Sequence, residues 1–313
     1  MTEILEQLTL KAALDDFLRH CRFERKLDEK TISAYRCDIF QFASTLPYRT
    51  DTLVISLTRE DIQRWMAALA NYKYRTLKRK IASINAIMNY LKWTFEEFDN
   101  PVRRVRIKLK EPQRLPVVMT RLETKQILEC LDRSAQFGTG SSQSHQLAVR
   151  NRAVIELLFG TGMRIGELCR LRNRDVDLDQ GLVRIIGKGN KERIVDVCMP
   201  VTLSALHDWM KTRHTSSDSC AYFFTNRLGN GLSPQTVRSL VHRIAQECGI
   251  DKNVTPHTFR HTFATLLLEE DVDICSIQHI LGHSSISTTQ IYLHVNPLRQ
   301  REILTNRHPR SRM

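Results

Sequence analysis

Apolar residues recur at three- and four-residue intervals through most of the chain, the spacing of helices that bury one face. Leu14, Phe17 and Leu18 mark one such face, and Ile32, Tyr35, Ile39 and Phe42 a second behind Asp28 and Thr31, residues suited to start a helix. Ile62, Trp65 and Leu69 follow Asp61 as a third. A fourth helix, from about Arg75 to Trp93, places Ile81, Ile84, Ile87, Met88 and Leu91 on its buried side. Thr120 is an N-cap before RLETKQILECLD, AQFGTGSSQSHQL reads as a surface loop, and VRNRAVIELLFG resumes as a buried helix. The pattern changes only at GLVRIIG and ERIVDVCM, two β-rich runs around KGNK that predict a hairpin. The rest is helical, so the expected fold class is mainly α with a small antiparallel β-sheet.

A chain of 313 residues exceeds one ordinary core and implies two domains. Pro112 and Pro116, following Pro101, discourage a continuous helix through NPVRRVRIKLKEPQRLPVV. The expected division is a helical domain at 1–102, a basic linker at 103–118 and a mixed α/β domain at 119–313. The formal charge is +13, with +7 on residues 1–118 (22 basic, 15 acidic) and +6 on the remainder (25 basic, 19 acidic). Such an excess points to a polyanion, nucleic acid first, able to meet both halves. No run of about 18 apolar residues predicts a membrane span, and the acidic amino terminus is unlike a secretory signal. Eight cysteines are scattered without a CxxC, which fits a reducing cytoplasm better than a disulfide framework.

Four segments carry candidate chemistry. In GTGMRIGELCRL, Arg164 follows a glycine turn among Met163, Ile165, Leu168 and Leu171, with Glu167 one turn along. Such a guanidinium needs an acid or an anion; alone, a salt bridge to Glu167 would account for it. Lys188 stands between Gly187 and Gly189 at the hairpin tip, a place where most lysines are simply solvated. In TPHTFRHTFATLLLEE, Thr255 can cap a helix opening at Pro256, so His257, Arg260 and His261 share one face at its positive end, which suits an anion. The His257–His261 spacing could also hold zinc, but no glutamate follows His257 as in HExxH. In SIQHILGHSSISTTQIYLHV a helix ends at Gly282, His283 follows, and Ser287 caps a helix bearing Tyr292. A phenol is a poor nucleophile unless cations stabilise its phenolate, and alone Tyr292 would be a core tyrosine.

Together, Arg164, Lys188, HTFR at His257 to Arg260, LGH at His283 and Tyr292 resemble the tyrosine recombinase, or phage integrase, family in order, context and spacing. The resemblance covers nearly the whole chain, the first half being similar to that family's helical core-binding domain. It implies a site-specific recombinase in which Tyr292 attacks a scissile phosphate to form a 3′-phosphotyrosyl link. It further implies that Arg164 and Arg260 hold the phosphoryl oxygens and that Lys188 protonates the leaving 5′-oxygen. His257 takes the tyrosine proton or binds the phosphate, His283 adds a hydrogen bond, and Glu167 supports. No metal, nucleotide or other cofactor is expected. Arg75, Lys78, Arg79, Lys80, Arg103, Arg104, Arg106 and Lys108 are expected on DNA phosphates. The implied partners are duplex DNA with inverted-repeat core sites and a homotetramer on two such sites, resolved through a Holliday junction with or without a second recombinase. A carboxy-terminal segment beyond Pro297 is expected to pack into a neighbouring protomer. The lack of a preceding domain implies an Xer-like or transposon-type enzyme without an arm-site reader. A type IB topoisomerase would use a similar site, and a catalytically idle DNA-binding regulator could share the fold.

Overall fold

A computed structural model describes residues 2–105, 116–137, 142–187, 192–213 and 221–282 of the chain. The chain divides into two compact units, 1–113 and 114–313. The first holds α1 (Thr2–Gln7), α2 (Leu10–Phe23), α3 (Glu29–Ala43), α4 (Arg59–Ala68) and α5 (Tyr74–Thr94). The helix starts follow from side chains that satisfy otherwise unpaired backbone N–H groups. Asp28 accepts from the Thr31 N–H at 3.0 Å, while Thr58 and Asp61 form a reciprocal capping box before α4. Apolar faces then converge on one core in which Phe17, Ile39, Phe42, Trp65, Ile84 and Met88 are fully buried.

A polar cluster interrupts that core. Asp38 on α3 is completely buried and accepts from Ser83 at 2.7 Å, from Lys80 at 3.1 Å and from Arg79, all on α5. Lys80 is itself buried, also donates to Gln41, and stacks over the Tyr72 ring at 5.1 Å. The expectation that Lys80 lies on a DNA phosphate is therefore corrected: a buried ammonium must stay with its counter-charge, and Asp38 holds it inside the unit. A second difference concerns the stretch after Asn100. Arg103 and Arg104 fall within a 3-10 turn, Pro101–Arg104, whose Pro101 and Val102 are buried, because Asn100 accepts from the Val102 N–H at 2.9 Å and folds the chain back onto the core. The stretch assigned to the linker thus opens within this turn, and residues 106–115 lie outside the described part.

The second unit contains α6 (Arg121–Phe137), α7 (Ser142–Thr161), α8 (Ile165–Leu168), β1 (Val176–Asp177), β2 (Leu182–Ile186), β3 (Glu192–Asp196), α9 (Pro200–Thr212), α10 (Pro234–Glu247), α11 (Pro256–Glu269) and α12 (Ile274–Leu281). Thr120 and Glu123 cap α6 reciprocally. The sheet has the order β1-β2-β3, all antiparallel, with Val183 opposite Val195 and Ile185 opposite Arg193. Strand β1 is too short to leave a periodic signal. The glycine-serine stretch is less of a loop than its composition implied: α6 continues through Phe137 and α7 begins at Ser142, with Ala135 buried in the core and only 138–141 outside the described residues. Helix α7 runs through the centre, with Ala153, Val154, Ile155, Leu157 and Leu158 all buried. No helix among the described residues is long and apolar enough to cross a membrane.

The buried Asp38 predicts a specific asymmetry in urea unfolding. Asp38→Ala should cost about 3–5 kcal/mol, because Lys80 is left as an uncompensated buried charge. The double variant Asp38→Leu with Lys80→Met should recover most of that loss. Equal destabilisation of the single and double variants would contradict the pairing.

Candidate active site

Three chain segments meet around Arg260. Helix α11 begins at Pro256 behind Thr255, whose hydroxyl accepts from the Thr258 N–H at 3.2 Å. This cap fixes the first turn, so Arg260 points into the unit with only 3% of its surface exposed. Its Nη1 donates to the Gly162 carbonyl at 2.6 Å and its Nη2 to the Leu281 carbonyl at 2.8 Å. One carbonyl belongs to the turn after α7 and the other to the last residue of α12, a helix end whose carbonyls lack intrahelical partners. A single guanidinium thus fastens the α7–α8 turn to the end of α12.

That turn depends on a glycine. Gly162 has φ +59°, and a Cβ there would lie 2.6 Å from Phe263 Cδ1 and 2.7 Å from Leu281 Cδ2. The next residues place Arg164 at the start of α8, its side chain 37% exposed. It donates from Nη1 to Glu167 at 3.0 Å and from Nη2 to the Gly282 carbonyl at 3.1 Å. Gly282 ends α12 at φ +64° and precedes His283 directly in the chain.

Glu167 is the carboxylate of the cluster. It is buried, accepts the Arg164 backbone N–H at 2.9 Å, and receives both Nη groups of Arg193 at 3.0 and 2.8 Å. Burial alone would raise its pKa; the hydrogen bonds from Arg193 and Arg164 outweigh it and hold the carboxyl down at about 2. Arg193 was missed in the sequence reading. Its signal is an arginine on the core-facing side of a strand, opposite Ile185 and in alternation with the buried Val195. It also packs against Gly282, where a Cβ would meet its side chain at 3.1 Å.

His257 lies on the first turn of α11, open to solvent on one side. Partial desolvation, then the cations Arg260, Arg164 and Arg238, lower its pKa below the usual histidine value, so the ring is neutral near pH 7 and can accept a proton. His261 stands one turn further on, with ring centroids 6.4 Å apart. Arg164, Glu167, His257 and Arg260 are therefore brought together. Lys188, His283 and Tyr292 lie outside the described residues, as do Arg106 and Lys108. In the first unit Arg75, Lys78, Arg79, Arg103 and Arg104 are exposed, with Arg104 paired to Asp99.

The chain matches the model of the Phage integrase family over residues 118–299 and that of the Phage integrase, N-terminal SAM-like domain over residues 14–94. The chain belongs to the phage integrase family. It is a tyrosine-type site-specific recombinase, in keeping with relatives that match along almost their whole length. A tyrosine recombinase of Agathobacter rectalis is 38% identical over 96% of this chain and 98% of its own. The tyrosine recombinase XerD of Listeria innocua is 35% identical over 95% and 99%. Among solved structures, the XerH site-specific recombinase bound to palindromic difH substrate in a post-cleavage complex superposes with a TM-score of 0.72 at 24% identity. It covers 94% of this chain and 84% of that one, a likeness of fold.

Two measurements test this recombinase's site as built. Gly162→Ala should lose about 1–2 kcal/mol from the left-handed backbone alone and more from overpacking against Phe263 and Leu281, with strand cleavage falling further than DNA binding. Because the folded Glu167 pKa lies below its unfolded value of 4.5, its contribution of about 3 kcal/mol is complete above that value and disappears as pH falls towards 2. Acid unfolding curves of Glu167→Gln should accordingly be flatter over that window than those of the parent. Parallel curves would show that the carboxylate contributes no such linkage.

Proposed function

We propose that this recombinase cuts and rejoins duplex DNA with Tyr292 as nucleophile, through a 3′-phosphotyrosyl intermediate and a Holliday junction. The observation that carries the reading is the partly open Arg164 guanidinium, fixed by a buried carboxylate and a helix-end carbonyl beside the residue that leads into His283. Such a donor is already oriented before a phosphate arrives, and preorganised donors stabilise the charge that builds on a phosphoryl group in its transition state. Arg260 adds a second guanidinium from beneath. Glu167 neutralises only part of the charge of Arg164, Arg193 and Arg260, so the cluster keeps a positive field that suits an anion and a tyrosinate. His257, neutral near pH 7, takes the tyrosine proton or hydrogen-bonds the phosphate. Lys188 protonates the leaving 5′-oxygen, and His283 donates a further hydrogen bond. Fixed cations fill the part that a metal plays at many phosphoryl-transfer sites, and the bond energy stored in phosphotyrosine makes ATP unnecessary.

The core-binding part is assigned to residues 1–102, the linker to 103–118, and the catalytic part with its protomer-exchange segment to 119–313. Arg75, Lys78 and Arg79 crowd the first turns of α5, the positive end of the helix, where cations are locally unfavourable. Asp38 meets Arg79 from inside the unit; DNA phosphates supply an outside anion for Arg75 and Lys78 and for the exposed side of Arg79. Arg103, Arg104, Arg106 and Lys108 extend the same contact. We assign the working form to a homotetramer on two inverted-repeat core sites in the cytoplasm, acting alone or with a second recombinase.

On a nicked suicide substrate, Tyr292→Phe should bind DNA normally and form no covalent complex; covalent complex from this variant would refute the nucleophile. Lys188→Ala should lose about 10²–10⁴-fold in cleavage and regain most of it when the 5′-bridging oxygen is replaced by sulfur, a leaving group that needs little protonation. An equal defect on both substrates would assign the lysine another task. Neutralising Arg75 or Arg79 should lower the log-log salt slope of DNA binding by about 0.9 per contact, and an unchanged slope would mark them as solvated surface.

A further inference from the structure

Helix α7 delivers Arg164 just beyond its carboxy-terminal end, and close to its middle it carries another arginine that the recombination chemistry does not use. Arg150 is 92% buried, its exposure being 8%. Its Nη1 donates to the Thr225 carbonyl at 3.2 Å and its Nη2 to Asn151 at 2.9 Å, while its Nε is a buried donor with no hydrogen-bond partner. Among the described residues no carboxylate pairs with it. Burial, then Arg227 and Arg243, push its pKa down to about 10. A buried cation kept beside two further cations is unfavourable unless something of opposite charge joins them.

The space for such a group is present. Arg150, Arg227 and Arg243 line a cleft of 740 Å³ between α6, the start of α7, the turn at Asn226–Leu228 and α10. Glu247 also lines it and pairs with Arg243 at 3.6 Å. Three positive charges against one negative leave +2, the complement of a dianion. Leu147, Leu228 and Ile244 supply apolar wall, and the volume falls within the range of about 300–1,000 Å³ common for small-molecule sites. From Arg150 to the end of α7 at Thr161 the helix rises about 16 Å. The cleft is thus separate from the cluster around Arg164.

We propose that this cleft binds a small organic phosphate, its dianionic group on Arg150, Arg227 and Arg243 and its apolar body against Leu147, Leu228 and Ile244. A lone carboxylate carries half the charge and is the weaker ligand. The site stands independently of the roles given to Tyr292 and Lys188.

The test uses the full chain with phenyl phosphate, inorganic phosphate and benzoate as probes, read by calorimetric titration and thermal shift at constant ionic strength. The cluster around Arg164 also attracts phosphate, so the variants separate the two sites. Arg227→Ala with Arg243→Ala should weaken phenyl phosphate binding at the cleft at least tenfold, while Arg164→Ala leaves that binding intact. Arg150→Met should fold, resist heat better than the parent without phosphate, and gain nothing at the cleft when phenyl phosphate is added. Core-site DNA should not displace the probe, and the double variant should cleave DNA at the parental rate. The proposal is overturned if the parent and the double variant bind phenyl phosphate equally, or if benzoate binds as tightly as phenyl phosphate. Displacement by DNA, or a loss of DNA affinity in the double variant, would equally overturn it by making the cleft part of the DNA-binding surface.

Discussion

The catalytic unit depends on a guanidinium that is almost wholly out of water. Arg260 reaches from α11 to two backbone carbonyls far apart in sequence, at Gly162 and Leu281, and each would be a poorly satisfied acceptor without it. Charged donors to neutral carbonyls form stronger bonds than amide donors do, and in a buried setting their removal leaves both acceptors exposed to an apolar surrounding. The turn before Arg164 and the helix end before His283 are therefore held by one side chain, and the left-handed Gly162 is what lets them approach.

Around this fastening, Glu167 sets orientation. It receives Arg164 from its own turn and Arg193 from β3, so the small sheet is tied to the helical body at the place where the chemistry is expected. Most ion pairs on a protein surface contribute little because solvent competes for both partners. This one is buried on the carboxylate side and open on the Arg164 side. The asymmetry leaves one guanidinium available to a ligand while its bearing stays fixed.

Much of this was legible in the sequence where a local rule acts alone. The caps at Asp28, Thr120 and Thr255, the apolar stripe from Ile81 to Leu91 and the two β-rich runs all follow from short-range backbone needs and periodicity. Arg164, Glu167, His257 and Arg260 are close in space, as their order and context implied. What escaped was long-range pairing. Lys80 looked like one more base in KYRTLKRK, and nothing local shows that Asp38, 42 residues earlier, draws it inside. Arg193 lies in phase with the apolar Val195, but nothing local names its partner, because Glu167 lies on a helix 26 residues away. Composition misled once: glycine and serine between α6 and α7 suggested a long loop, but α6 continues to Phe137 with Ala135 buried and α7 already begins at Ser142.

The wide sequence separation of the bonds within the catalytic unit bears on how the protein is made. Arg260 and Gly162 lie 98 residues apart, and Arg164 and Gly282 lie 118 apart. The first unit's core is complete once Val102 has emerged, whereas Arg164, paired with the nearby Glu167, must wait for the end of α12 to gain its bond to the Gly282 carbonyl. At the usual pace of about 5–20 residues per second, the intervening stretch takes on the order of ten to forty seconds to synthesise. During that interval a ribosome-borne chain can fold its basic first unit while the Arg164 guanidinium still lacks its second anchor. A truncated or stalled product is by the same logic a folded first unit without the assembled Arg164–Arg260 cluster, which is complete only with nearly the whole polypeptide.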